Sequence, residues 1–414
     1  MSVAARRPAL RALPAPAAGP LAAVAERVLL GGLGLITLGR LDVRLPDGRE
    51  LRFGEDAAAE RQTLEIRHGD FFRRLATRGR IGLGEAYVAG DYTAADLAGT
   101  LGLLARNLEA ARERDPLRTV ARLAAARPRL ALPNSRPRAE RNIHYHYDLG
   151  NDLYRLFLDE SLTYSCAIFE HPGQPLADAQ QAKYRRICER LALGPDDHVL
   201  EIGCGWGGFA LHAARERGCR VTGITISRAQ LDEARRRVAD AGLAGRVAIE
   251  YRDFREVTGR YTHVVSIEML EAIGESLFET YFATIDRVLA PGGRACIQTI
   301  AVPDQRYAAY RRTRDFIQAH IFPGGHLPSV EVMARAMRRA SRLHVHGLEE
   351  IGPHYADTLR AWRAAFDARL GEVRELGYDD RFVRTWEYYL AFCEAGFRER
   401  LLRDVQLVLA RPGR

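Results

Sequence analysis

From about residue 196 onward the chain alternates strand-like runs with amphipathic helical ones, and this alternation constrains the fold more than any other feature. The strand-like runs are "HVLEIG", "RVTGITI", "RVAIEY", "HVVSIE" and "RACIQTI". Between them lie stretches such as "SRAQLDEARRRVADAG" and "SLFETYFATIDRVLA", whose apolar residues recur at helical spacing. Strand and helix in such alternation bury their apolar sides when the strands lie parallel and helices cover both faces. The expectation is an α/β domain with a doubly wound, Rossmann-like parallel sheet. In sheets of this kind a ligand binds outside the carboxyl ends of the strands, near the first crossover.

The first of these strands runs into "LEIGCGWGGF" (Leu200 to Phe209). Gly203, Gly205 and Gly208 satisfy G-x-G-x-x-G, which by itself suggests a dinucleotide. A dinucleotide site also needs an acid about 20 positions on to hold the ribose. The second strand ends "GITISRAQ", with no acid at its tip, and Asp232 and Glu233 come late, inside the following helix. Glu201 and the extra Gly207 give E-x-G-x-G-x-G instead. That form suits S-adenosylmethionine (AdoMet). The glycines let the backbone approach the aminoacyl and ribose part, while an acid at the strand end favours the ligand's positive charge. The turn "LAPGG" before the fifth strand is a further feature common among class I AdoMet methyltransferases.

The chain has 414 residues, enough for two domains, and a net charge of +8 with 61 Lys and Arg. Lys183 is the only lysine; every other basic side chain of that set is arginine. Such a surface favours anionic partners, although plain solvation of an arginine-rich exterior explains it as well. Cys166, Cys188, Cys204, Cys219, Cys296 and Cys393 show no CxxC or Cys/His spacing, so neither zinc nor a disulfide framework is expected and a reducing cytoplasm fits. His144 and His146 lack a third ligand, and no metal is expected. No apolar run reaches the roughly 18 residues that span a bilayer.

Residues 1–20 read as a disordered tail and 21–111 as a smaller packing or binding module, which the resemblance given below makes an accessory, lipid-binding domain. Its "LDVRLPDGREL" holds a hairpin turn at Pro46-Asp47-Gly48. Residues 112–140, dense in Arg, Ala and Pro, have the composition of a linker, and the methyltransferase domain occupies 141–414.

Several separated stretches carry a more specific signal: "HYDLGNDLY", "TYSCAIF", "AQQAKYRRICERL", "GCGWGG", "GITISRAQ", "YRDFRE", "IFPGGHLPSV" and "WEYYLAFCEAGFR". In this order they resemble the cyclopropane-fatty-acid synthase family, which includes the mycolic-acid cyclopropane synthases and related C-methyltransferases. The resemblance implies that Tyr164, Ser165, Gly203, Cys204 and Gly205 contact AdoMet. It gives Gln230, with Thr225 nearby, the ribose role of the missing acid, since an amide also accepts a hydroxyl hydrogen bond. Asp253 and Phe254 fall where the adenine is held.

The reaction implied is methyl transfer to the double bond of an acyl chain esterified in an unsaturated phospholipid, leaving a cation on the chain. Proton loss from the new methyl closes a cyclopropane; proton loss with formation of a double bond leaves a methylene branch. The family's base is a bound bicarbonate, and the resemblance assigns its ligands to Cys166, Glu271, Ile300 and Tyr355. At the histidine position of that set stands Gln298, which cannot be protonated to balance an anion, and this puts the bicarbonate in question. Ala272 likewise replaces a histidine. These departures point toward the branch of the family that makes a 10-methylene chain. Cys393 matches a second family cysteine of catalytic assignment, with core packing as its equal alternative. Glu268 stays open between a site carboxylate and a helix cap.

The expected protein is thus an AdoMet-dependent lipid methyltransferase, cytoplasmic and peripheral to the inner face of the membrane, with a homodimer and a partner reductase left open. The rivals are an AdoMet methyltransferase for another small molecule and a non-catalytic lipid- or AdoMet-binding protein. A nucleic-acid substrate would call for an aromatic, basic groove or a base-flipping motif, and the sequence offers neither.

Overall fold

The computed structural model describes residues 20–114 and 149–412. Residues 1–19 of the expected 1–20 tail, residues 115–140 of the expected 112–140 linker, and His144 and His146 lie outside these residues, while 112–114 continue the helix Leu97–Arg114.

The described chain begins with α1 (Pro20–Leu33), β1 (Arg40–Arg44), β2 (Glu50–Gly54), β3 (Arg61–Ile66), α2 (Asp70–Ala89), β4 (Tyr92–Ala94) and α3 (Leu97–Arg114). The four strands form one sheet in the order β2-β1-β3-β4. The expected hairpin joins β1 to β2, and Gly48 takes the left-handed φ of +87° that its turn requires. Alternate β1 residues, Leu41 and Val43, are buried, the period-2 signature of a half-covered sheet.

After α4 (Asn151–Phe157) and α5 (Leu176–Leu191) comes the expected alternation: β5 (His198–Ile202), α6 (Gly208–Arg217), β6 (Arg220–Thr225), α7 (Arg228–Asp240), β7 (Val247–Tyr251) and β8 (Tyr261–Ile267). The short α8 (Leu270–Ile273), α9 (Phe278–Val288), β9 (Leu289–Ala301) and α10 (Asp304–Tyr310) follow. The chain ends in α11 (Val330–Ala340), β10 (His344–Glu350), α12 (Gly352–Ala368), α13 (Leu370–Glu375), α14 (Asp380–Arg398) and β11 (Arg403–Ala410).

The second sheet has the order β10-β11-β9-β8-β5-β6-β7. Strands β9, β8, β5, β6 and β7 run parallel, as expected from their helical crossovers. Strands β11 and β10 extend the sheet in antiparallel fashion, an addition the wholly parallel expectation lacked. The "LAPGG" turn lies within the first residues of β9, where the pairing to β8 shifts register between Tyr261 and His263. Helices cover both faces: α9 buries Phe278, Tyr281, Phe282, Ile285 and Val288 at the i, i+3, i+4, i+7 spacing of one apolar stripe. Strand order reverses at β5, between β6 and β8, so the ends of β5 and β8 flank the crevice where such sheets take ligands.

Candidate active site

The loop after β5 has the backbone its glycines predict. Gly203, Gly205 and Gly207 hold φ of +81°, +54° and +84°, a region that side-chain-bearing residues avoid. A Cβ on Gly203 would lie 2.7 Å from Met269 Cγ, whereas one on Gly205 would meet nothing within 4 Å. The loop therefore packs against the residue after Glu268 at one glycine and leaves space at another. Glu201 is buried beneath it, and its Oε2 has no hydrogen-bond partner among the described residues. Burial pushes the Glu201 carboxyl well above the usual range. An open glycine cradle above an orphaned buried acid fits the cationic, amine-bearing end of AdoMet.

The other residues assigned to AdoMet lie on β6 and α7, just after β7, and in the 163–167 segment. Ser227 caps α7 by accepting the Gln230 N–H at 3.3 Å, and Thr225 Oγ1 donates to Gln230 Oε1 at 2.9 Å, which fixes the amide at the tip of β6. Asp253 is held within the protein: its oxygens pair with Arg255 Nε at 2.8 Å and Nη2 at 2.6 Å, and it caps the turn Phe254–Glu256. Phe254 is buried edge-on to Tyr281. Tyr164 shares a 2.6 Å hydroxyl hydrogen bond with Tyr389 of α14 and lies against Tyr154 and Trp362. Ser165 Oγ accepts a 2.7 Å hydrogen bond from Lys183 Nζ. Cys204 is buried, and its burial pushes the thiol well up.

Beside the loop, residues from the β8–α8 turn, α5, β9, β11, α12 and the 163–167 segment meet in one buried polar cluster. Register accounts for part of it, since Gln298 of β9 stands opposite Gln406 of β11, with Asp404 opposite Ile300. Gln406 Nε2 donates to Gln298 Oε1 at 3.0 Å. Gln298, Asp404 and Gln406 are completely buried, and apolar side chains would be the default there.

The centre of the cluster is Glu268. Its Oε1 accepts from the Cys166 backbone N–H at 2.8 Å and from Gln298 Nε2 at 2.9 Å, and its Oε2 accepts from the Tyr355 hydroxyl at 2.5 Å. Glu268 sits between β8 and α8 with φ of +50°. Strained backbone of this kind concentrates at functional sites. Glu271 accepts from the Ile300 backbone N–H instead, leaving its Oε2 buried and unpartnered among the described residues. Burial, then the nearby Glu268, raises the Glu271 carboxyl to about 8. Asp404 is pushed well above the usual carboxyl range by burial, then by Glu268 and Glu271. Lys183, completely buried on α5, is lowered to about 8 by burial, against the pull of Glu268, Cys166 and Asp159.

Cys166 is a poor nucleophile here. Burial, Asp404 and Glu268 push its thiol well up, and Sγ faces the carbonyls of Ala167 at 3.2 Å and Ile351 at 3.7 Å. Cys393 lies one turn along α14 from Tyr389, half-buried and packed against the apolar core. Sequence reasoning did not find Lys183, Asp404 or Gln406. A signal was present for each: a sole lysine, and two polar residues in the otherwise apolar run "DVQLVLA".

Known proteins resemble this chain over most of its length. Residues 134–407 match the family described as mycolic acid cyclopropane synthetase. The chain is 40% identical to the tuberculostearic acid methyltransferase UfaA1 of Mycobacterium tuberculosis, across 99% of this chain and 96% of that protein. It is 36% identical to the cyclopropane-fatty-acyl-phospholipid synthase of Escherichia coli, across 84% of this chain and 87% of that one. The cyclopropane synthase MmaA2 from Mycobacterium tuberculosis superposes with a TM-score of 0.62 at 28% identity, over 66% of this chain and 98% of the other. The mycolic acid cyclopropane synthase CmaA1, solved with SAH and CTAB, gives 0.60 at 28% identity over 66% and 98% of the two chains.

Proposed function

The chain belongs to the mycolic acid cyclopropane synthetase family, and from that premise we propose that it methylates the double bond of an unsaturated phospholipid acyl chain and releases a methylene-branched product. It is an AdoMet-dependent C-methyltransferase. The observation that carries the methylene outcome is the end-to-end 40% identity to a tuberculostearic acid methyltransferase. Gln298 at the family's histidine position adds support, since it lies inside the cluster that would handle the proton.

When bound, AdoMet supplies an electrophilic methyl on a sulfonium. The glycine loop would hold its aminoacyl and ribose part, Glu201 would face its charge, and Thr225, Gln230 and Phe254 would flank the nucleoside. The methylated alkene carries a cation on the neighbouring carbon. A hydride shift from the methylated carbon moves that charge onto the branch point, and proton loss from the methyl then gives C=CH2. Without the shift, the same proton loss closes a cyclopropane. The packed rings of Tyr154, Tyr164 and Trp362 would keep water from capturing the cation.

We place the enzyme at the cytoplasmic face of a membrane, drawn there by its net charge of +8 toward anionic lipid. Among the described residues no helix is long and apolar enough to cross a membrane. The test uses purified protein, AdoMet and dioleoyl phospholipid vesicles, with the lipid read by mass spectrometry and proton NMR. Vinylidene protons are the expected outcome. Upfield cyclopropane protons would reassign the product, and AdoMet binding without new carbon in the lipid would reject the lipid-methyltransferase reading.

A further inference from the structure

The geometry assigns to Glu268 the role of a built-in base: its carboxylate, held by Cys166, Gln298 and Tyr355, takes the proton from the transferred methyl carbon, in place of a bound bicarbonate. This rests on the reading of the protein as a lipid methyltransferase.

Bicarbonate does not fit the site. Of the groups assigned to hold it, the Cys166 N–H, the Gln298 amide and the Tyr355 hydroxyl all donate to Glu268, and the Ile300 N–H donates to Glu271. A free anion would find these donors engaged and would meet Glu268, Glu271 and Asp404 in a buried space. Placing one more negative charge there is costly. The carboxylate of Glu268 already fills the role: it accepts from the Cys166 N–H, the Gln298 amide and the Tyr355 hydroxyl.

Position separates Glu268 from the other two acids. Glu271 and Asp404 are held toward their neutral forms by burial and by Glu268 itself. Glu268 stands at the carboxyl end of β8, and its N–H is tied to the Gln298 carbonyl at 2.8 Å. The next residue, Met269, packs on Gly203 of the AdoMet loop. The backbone φ of +50° aims the side chain into the cluster, where Lys183 supplies a cation. In the step itself the methyl C–H bond breaks and the proton goes to a Glu268 oxygen. The electron pair left behind forms either the C=CH2 bond or the closing bond of the ring. No oxidant or reductant is needed.

The experiment compares full-length wild type, Glu268→Gln and Glu268→Gly on dioleoyl vesicles in buffer stripped of carbon dioxide, with and without added bicarbonate. Calorimetric AdoMet titration reports whether each variant is folded, and carbon NMR of isotopically labelled bicarbonate reports anion binding. Wild type is expected to turn over equally in both buffers and to bind no bicarbonate. Glu268→Gln is expected to lose about 10²-fold or more in turnover, the usual size of a general-base contribution, with AdoMet affinity retained. Glu268→Gly, at a φ that glycine adopts readily, frees the three donors; it is expected to bind labelled bicarbonate and to recover turnover with it. Three results would overturn the assignment: a wild type that needs bicarbonate, a fully active Glu268→Gln, or a Glu268→Gly that bicarbonate neither binds nor rescues. If wild type binds AdoMet but methylates no lipid, the functional reading fails, and this inference with it.

Discussion

Glu271 lies three positions after Glu268 in sequence, and burial changes its acidity. Its ordinary carboxyl value of 4.5 is raised to about 8, so the native protein holds this proton at neutral pH. Below the ordinary value both folded and unfolded chains are protonated. Between 4.5 and about 8 the unfolded chain ionises and the native one does not, so stability contributed here falls as pH rises through that window. At about 1.4 kcal/mol per unit this amounts to a few kcal/mol. Glu271→Gln keeps an acceptor for the Ile300 N–H and removes the titration. Denaturant unfolding from pH 5 to 8 should therefore show a shallower decline for the variant than for wild type, and parallel curves would show that Glu271 is not held neutral. Lys183 acts in a higher window with the opposite sign, stabilising as pH rises from about 8 toward 10.5. The glycine loop and Glu201 are legible in sequence because their spacing states a backbone need. The centrality of Glu268 is not legible, because it depends on a left-handed φ that sequence leaves unspecified for a glutamate.

At the scale of elements, the loop between β5 and α6 joins the proposed cofactor cradle to the acid cluster. Gly203 requires both its φ of +81° and the room now taken by Met269, so Gly203→Ala must strain the backbone and move Met269. The expected loss is about 1–3 kcal/mol of stability, together with weaker AdoMet binding. Gly205→Ala makes the informative contrast, since its Cβ meets no protein atom within 4 Å. It should weaken AdoMet binding more than its effect on thermal stability would imply. Calorimetry beside thermal melts checks both, and a Gly205→Ala that binds like wild type would place the ligand elsewhere. The strands β5 to β9 are readable from their apolar runs between helices. The antiparallel β10 and β11 are not: β10 contains "HVHGLEE", which lacks a buried face by pattern, and β11 carries Asp404 and Gln406 inward. Those inward polar residues are the ones the site uses, which is why an apolarity rule misses them.

At the scale of the whole molecule, α14 has neighbours on both sides. Tyr388 meets Phe316 with ring centroids 4.6 Å apart, and a Cβ on Gly84 of α2 would lie 2.3 Å from Phe316 and 2.7 Å from Tyr388. The adjacent Tyr389 bonds Tyr164, a residue proposed to contact AdoMet. Arg384 donates to the Tyr87 and Tyr92 carbonyls, and Arg398 to that of Ala98, so polar contacts fix the same N-terminal elements to α14. The hairpin and helices of the N-terminal part can be read one by one from their own patterns. Their shared core with α14 cannot, because an apolar face does not name its partner. This packing ties the position of Tyr389 to the docking of α2. Gly84→Val should overpack the contact at a cost of about 1–3 kcal/mol. Hydrogen exchange should then quicken in α2 and α14 and stay slow in β5 and β8, with turnover on lipid falling more than AdoMet affinity. Equal acceleration in all four elements would mean that the two parts unfold as one unit; unchanged turnover would mean that α14 does not pass the displacement from Tyr388 to Tyr389.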